Sequence, residues 1–130
     1  MQRAQGTFAV RVSQITQVPP PAEGLGRFSL EKEIQGDLEG TSKGEMLTGG
    51  DPKTGAAGAV AIELVTGTLA GKKGSFALQH SSTMDAGGYN MSIIVVPGSG
   101  TGELQGIAGT FTIRIVGGEH FYDFDYTLPE

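Results

Sequence analysis

Three side chains able to handle protons stand on apolar faces of this chain: Lys32, Glu63 and His80. In an extended segment alternate residues share a face. Lys32 therefore goes with Phe28, Leu30 and Ile34, Glu63 with Ala61 and Val65, and His80 with Phe76 and Leu78. A carboxylate on an apolar face is driven toward its neutral form by desolvation unless a cation compensates it, and Lys32 is the expected cation for Glu63. A pair of this kind inside a barrel can serve as acid and base in an isomerisation. The same residues also fit a satisfied structural ion pair, or two long side chains whose charged ends reach water. Histidine exchanges protons near neutral pH, which makes His80 the third catalytic candidate; the alternative is a buried imidazole bonded to a backbone carbonyl at a strand end.

A second cluster lies near the C-terminus, where His120, Tyr122, Phe124 and Tyr126 alternate along one face. With Phe76 and Leu78 they form a candidate surface for a flat hydrophobic ligand, the phenols supplying polar contacts. Aromatic stripes of this kind also serve as plain core.

Other motifs lack the context their chemistry needs. Gly40-Thr41-Ser42-Lys43-Gly44 spells a nucleophile elbow, and Asp85 and His120 follow in the chain order of such hydrolases, but the elbow requires a strand turning into a helix and nothing after Gly44 reads as helix. Gly98, Gly100 and Gly102 depart from the dinucleotide spacing, and Lys72 with Lys73 does not complete a phosphate loop. Glu119, His120, Asp123 and Asp125 are close in sequence, yet on a strand His120 points away from the three acids, so no metal site is expected. Asn90-Met91-Ser92 is a glycosylation sequon by spelling alone. The absence of cysteine excludes thiol catalysis, disulfides and thiolate metal sites. No metal or nucleotide cofactor is expected.

The elements that must position these groups are strands. Period-two patterning runs from end to end and no window sustains a helical repeat. Phe8, Val10 and Val12 alternate with Thr7, Ala9 and Arg11; Pro19, Pro20, Pro21 and Gly24 then make a loop. Further strands are expected over Arg27–Leu38, Gly40–Thr48, Ala57–Leu69, Ser75–Thr83 and Tyr89–Val96. Leu104 opens another that resumes at Thr110–Val116, and His120–Leu128 is the last. Turn signals at Gly49-Gly50-Asp51-Pro52, Gly71–Gly74, Asp85–Gly88 and Gly117-Gly118 separate them. About eight strands joined by short turns predict a single all-β domain over residues 1–130, an antiparallel up-and-down β-barrel with little or no helix, whose 22 glycines supply turns and curvature. In Ala57–Leu69 the face of Val60, Ile62 and Leu64 is as apolar as that of Ala61, Glu63 and Val65. One face points inward, and the other is expected to meet a partner subunit in a homo-oligomer.

The formal net charge of −5, with basic residues scattered apart from Lys72-Lys73, gives no nucleic-acid footprint. No apolar window has the length of a membrane span or a signal-peptide core, so a cytoplasmic protein without a membrane partner is expected.

The motifs VTGTLAGKKGSFALQH, VVPGSGTGELQGIAG and HFYDFDYTL, together with GDLEG at Gly36–Gly40, resemble the bacterial domain-of-unknown-function family 3224 over roughly Gly6–Leu128. The resemblance implies a barrel similar to that of allene oxide cyclase, a fold shared with plant dirigent proteins, whose members steer cyclisation or coupling of hydrophobic small molecules. It carries no established reaction and no catalytic residues. The expectation is a barrel that binds a small hydrophobic molecule in its lumen and acts as an isomerase or cyclase through shape and desolvation. The alternative is a non-catalytic scaffold or interaction protein with a packed barrel and an oligomer interface.

Overall fold

The structure, a computed structural model, describes residues 1–15, 22 and 24–129. Eight antiparallel strands close into a barrel in strict chain order: β1 (Gln2–Gln14), β2 (Leu25–Gly36), β3 (Leu38–Asp51), β4 (Ala56–Leu69), β5 (Lys72–Asp85), β6 (Gly88–Val95), β7 (Ala108–Val116) and β8 (Glu119–Thr127). β8 closes the ring on β1, with Ala4 opposite Phe124 and Phe8 opposite His120. Closure joins the first and last strands so that neither ends the sheet, which suits a fold made only of strands. Among the described residues no helix is long and apolar enough to cross a membrane.

Turn chemistry sets the register. Ala70 and Gly71 both have positive φ, as do Gly117 and Gly118. A two-residue hairpin turn with two left-handed residues matches the twist of its flanking strands, so β4–β5 and β7–β8 are locked with Leu69 opposite Lys72 and Val116 opposite Glu119. The first strand is longer than its apolar alternation suggests, because pairing with β8 recruits residues back to Gln2. The sequence expectation for Pro19–Pro21 lies outside the described residues.

One strand expectation is corrected: Leu104 ends a 3-10 turn over Gly102–Leu104 instead of opening β7. Side chains explain the difference. The backbone N–H of Ala77 donates to Ser99 Oγ at 3.0 Å, and that of Ser75 donates to Thr101 Oγ1 at 3.0 Å. The segment Pro97–Gly102 thus satisfies the lower edge of β5 where no neighbouring strand reaches it, and Leu104 and Ile107 plug that end of the barrel, fully buried.

The barrel has two unlike halves. In the lower half, near the β2–β3 and β4–β5 turns, the interior is filled: Leu38, Val65, Leu69, Phe76, Leu78, Tyr122 and Phe124 are fully buried. Phe76 stacks on Phe124 with ring centres 5.5 Å apart, and Phe111 on Tyr122 at 5.2 Å. In the upper half the inward register is mixed: Leu30 and Ala61, just above Lys32 and Glu63, are buried, whereas nearer the rim inward side chains keep their exposure. Ile115, two residues beyond Ile113 on β7, is 65% exposed, and Met91, opposite Ser82, is 42% exposed.

Candidate functional site

Where the packed half ends, an ion cluster begins. Lys32 of β2, Glu63 of β4 and His80 of β5 all lie at inward register. Lys32 Nζ donates to Glu63 Oε2 at 3.0 Å, and His80 Nε2 approaches the same oxygen at 2.8 Å. Lys32 and Glu63 belong to strands separated by β3, about 10 Å apart at standard strand spacing. The ammonium crosses β3 where its inward positions are Ser42, opposite Lys32, and Gly44, opposite Glu63. A Cβ on Gly44 would lie 2.6 Å from Glu63 Cα, so glycine is required there for the two strands to approach.

The electrostatics follow from burial and pairing. Glu63 is 1% exposed. Burial pushes its carboxyl up, but the contact with His80 and the charge of Lys32 outweigh burial and hold it down at about 2. It is therefore an anion at neutral pH and a poor proton acceptor. The His80 approach lies off the axis of an aligned ring N–H bond, since Nε2 has no partner of hydrogen-bond geometry. A lone pair held 2.8 Å from a carboxylate oxygen would be repelled, so Nε2 carries a proton, and in the neutral tautomer Nδ1 holds the lone pair. Among the described residues no hydrogen bond engages Nδ1, and the His80 side chain retains 13% exposure.

Two further groups complete the cluster. Lys32 Nζ lies 4.9 Å from the ring centre of Phe8, which offers its negative face to the ammonium. Ser42, 2% exposed, places its Oγ at the same level without a hydrogen-bond partner, and Glu63 Oε1 likewise has none. The residue pattern gives neither Phe8 nor Ser42 a role beside Lys32 and Glu63. Ser42 was visible as a polar position on the Gly40–Gly44 face, but only as the centre of an elbow motif; here it sits in mid-strand, inside the barrel.

The remaining sequence candidates surround the ion cluster without joining it, Leu78 directly opposite Glu63. Phe76, Leu78, Tyr122, Phe124 and Tyr126 form the packed lower core. The Tyr122 hydroxyl accepts from the Leu38 N–H at 3.0 Å and shares its proton between the carbonyls of Gln35 and Leu38, which clamps the β2–β3 turn. Tyr126 donates to Gln2 Oε1. His120 is half-buried higher up, its ring centre 5.1 Å from that of Phe8. Asp123 and Asp125 face outward, paired with Arg114 at 2.9 Å and Arg3 at 2.7 Å. Among the described residues no group of three or more His, Cys, Asp or Glu side chains converges for a metal.

On the outside, Leu47, Val60, Ile62 and Leu64 are each more than half exposed. Val60 lies directly opposite Leu47, so the four make one patch across β3 and β4. Leu25, Leu47 and Val60 also line a shallow groove of about 470 Å³ at the upper rim.

Residues 4–126 match the family model described as "Protein of unknown function (DUF3224)". The chain is also similar to a crystal structure of a DUF3224-family protein of unknown function from Shewanella oneidensis MR-1. The two share 42% identity and superpose with a TM-score of 0.91, over 100% of this chain and 98% of the other. A comparison with curated proteins finds no match.

Proposed function

The chain belongs to the DUF3224 family, and from that premise together with the unlike halves of its barrel we propose that it binds a small hydrophobic molecule in the upper lumen and shifts a proton on it. The observation that carries this reading is the buried Lys32–Glu63–His80 cluster, seated where the packed core gives way to exposed inward-facing apolar side chains. The apolar body would rest against Val12, Phe28, Met46, Met91 and Ile113, among which the methionines adapt to ligand shape. The neutral His80 removes a proton through Nδ1 and returns it at another atom of the same molecule, an isomerisation that changes no oxidation state. Glu63 holds the imidazole in the required tautomer and supports its charged form, as a carboxylate does beside a catalytic histidine. Lys32 keeps Glu63 ionised. The reaction draws on desolvation and placement and needs no cofactor. His120, Tyr122, Phe124 and Tyr126, with Phe76 and Leu78, then serve as the rigid floor beneath the ligand.

The test is mass spectrometry of small molecules that co-purify with natively expressed protein, followed by incubation of the captured compound in deuterated water. Retention of an apolar compound and its deuteration by wild type but not by His80→Ala supports the reading. A lumen that retains nothing and exchanges nothing rejects it.

A second reading rests on the outer patch of Leu47, Val60, Ile62 and Leu64. The outer face of an antiparallel barrel is ordinarily polar, and an apolar patch of this kind is a surface that oligomers cover. On that reading the protein is a homo-oligomeric scaffold, its location in the cell cytoplasmic.

A further inference from the structure

The polar atoms at the cluster say more about the ligand than that it is small and apolar, and this step rests on the lumenal binding just proposed. Ser42 Oγ and Glu63 Oε1 are both buried without a hydrogen-bond partner, and their side chains are 2% and 1% exposed. Such groups are costly to leave unsatisfied. They are also near neighbours: Ser42 lies opposite Val65, two residues along β4 from Glu63. Diagonal cross-strand positions of this kind are about 7–8 Å apart or less at Cβ, a gap that one oxygen can bridge.

We infer that the site takes an uncharged molecule that presents a hydroxyl to Ser42 and Glu63. Glu63 Oε1 can only accept, so the head must donate. Ser42 Oγ can then donate back to the same oxygen, and a hydroxyl is the small group that donates and accepts at one atom. A carbonyl or an ether would leave Glu63 Oε1 unsatisfied.

Charge excludes the ionic alternatives. Lys32 and Glu63 neutralise one another at 3.0 Å, so a further ion would be buried without a counter-ion. A carboxylate head would meet Glu63, and an ammonium head would meet Lys32. The inward positions of β3 beside the pair are Gly40, Ser42 and Gly44; the two glycines are closed by the backbone of β4, so Ser42 is the one side chain that β3 presents to a head group at this level.

Ser42→Ala is the informative variant. It removes only an oxygen that has no partner, so it should fold and be no less stable than wild type. The probes are 1-octanol, 1-methoxyheptane, octanoate and octylammonium, titrated at neutral pH into uniformly 15N-labelled protein and followed by amide chemical shifts of the inward-facing residues. The expected result is preferred binding of 1-octanol over the ether and both ions, with about a tenfold loss of 1-octanol affinity in Ser42→Ala and little change for the ether. If the probes bind with an ion preferred, or if Ser42→Ala binds 1-octanol as wild type does, the hydroxyl assignment is overturned while lumenal binding stands. If no probe perturbs the inward-facing amides, lumenal binding itself fails and takes the assignment with it.

Discussion

Lys32 Nζ reaches Glu63 Oε2 at 3.0 Å across an intervening strand. Neither residue is on the other's neighbour. The contact exists because β3 carries Ser42 and Gly44 where the lysine passes, and because barrel curvature turns β2 and β4 toward a common interior. An ion pair that bridges three strands ties them at one height, and its effects on stability, protonation and ligand choice can each be measured.

Removing one partner should harm the fold more than removing both. Glu63→Gln leaves the Lys32 ammonium buried without its counter-ion, a change that costs about 3–5 kcal/mol where buried pairs have been broken. The double variant Lys32→Met with Glu63→Leu replaces the pair with apolar volume and should lose markedly less. Urea denaturation of the two checks the order; a double variant at least as unstable as Glu63→Gln would contradict it.

Acid should weaken the protein through Glu63. Its carboxyl lies at about 2 in the folded chain against an ordinary 4.5. A folded value below the unfolded one means stability that is complete above about pH 4.5 and is lost as pH falls through that window toward 2. The difference in unfolding free energy between wild type and Glu63→Gln should therefore shrink steadily from pH 5 to pH 2. A constant difference over that range would remove Glu63 as its source, and taking the difference cancels the outward carboxylates Asp123 and Asp125, also held below their ordinary value by Gln5 and Arg3 respectively and by neighbouring groups.

Tyr122→Phe should act on stability and leave ligand binding alone. The substitution strands the Leu38 N–H and two carbonyls in a buried turn, at a cost of about 1–3 kcal/mol. A lowered melting temperature with unchanged 1-octanol affinity is expected. Loss of affinity without loss of stability would instead place the phenol against ligand.

The β6–β7 seam should exchange first. Its ladder registers only Ile94 opposite Thr110, whereas β4 and β5 pair along nearly their whole length. Few inter-strand hydrogen bonds leave amides open to local fluctuation. Hydrogen–deuterium exchange should show Tyr89–Ser92 and Thr112–Ile115 labelling well before Ala61–Val65; equal protection across the barrel would count against a weak seam.

Assembly can be read directly. If the outer patch is covered by a second copy, light scattering at micromolar concentration should give more than one chain's mass, and Ile62→Lys should reduce it to the monomer without loss of fold. A monomeric wild type would leave the patch without that partner.

Much of this was legible in the residues. The strand period, the Gly117-Gly118 turn and the two apolar faces of Ala57–Leu69 follow from local sterics and alternation, and so does the partnership of Lys32 with Glu63 as the cation and carboxylate that an apolar face requires; the turn expected at Gly71–Gly74 falls instead at Ala70-Gly71, because Lys72–Gly74 pair into β5. The run from Pro97 to Gly102 was less legible, because its serine and threonine serve as ladder acceptors for a strand twenty-odd residues earlier, a role with no local signature. The aromatic stripe on β8 read equally well as ligand surface or core, since both need the same alternation.

The sequence by itself determined which side of each strand is apolar and where the chain must turn, because both depend on residues close together along the backbone. Only the tertiary structure decided height: which inward residues share a level once eight strands tilt and close. Closure and register brought Lys32, Ser42, Glu63 and His80 to one level above the packed lower core, and set the Glu63 carboxylate between two cationic or proton-bearing partners. Face is a property of one strand's period; level is a property of how the strands pair.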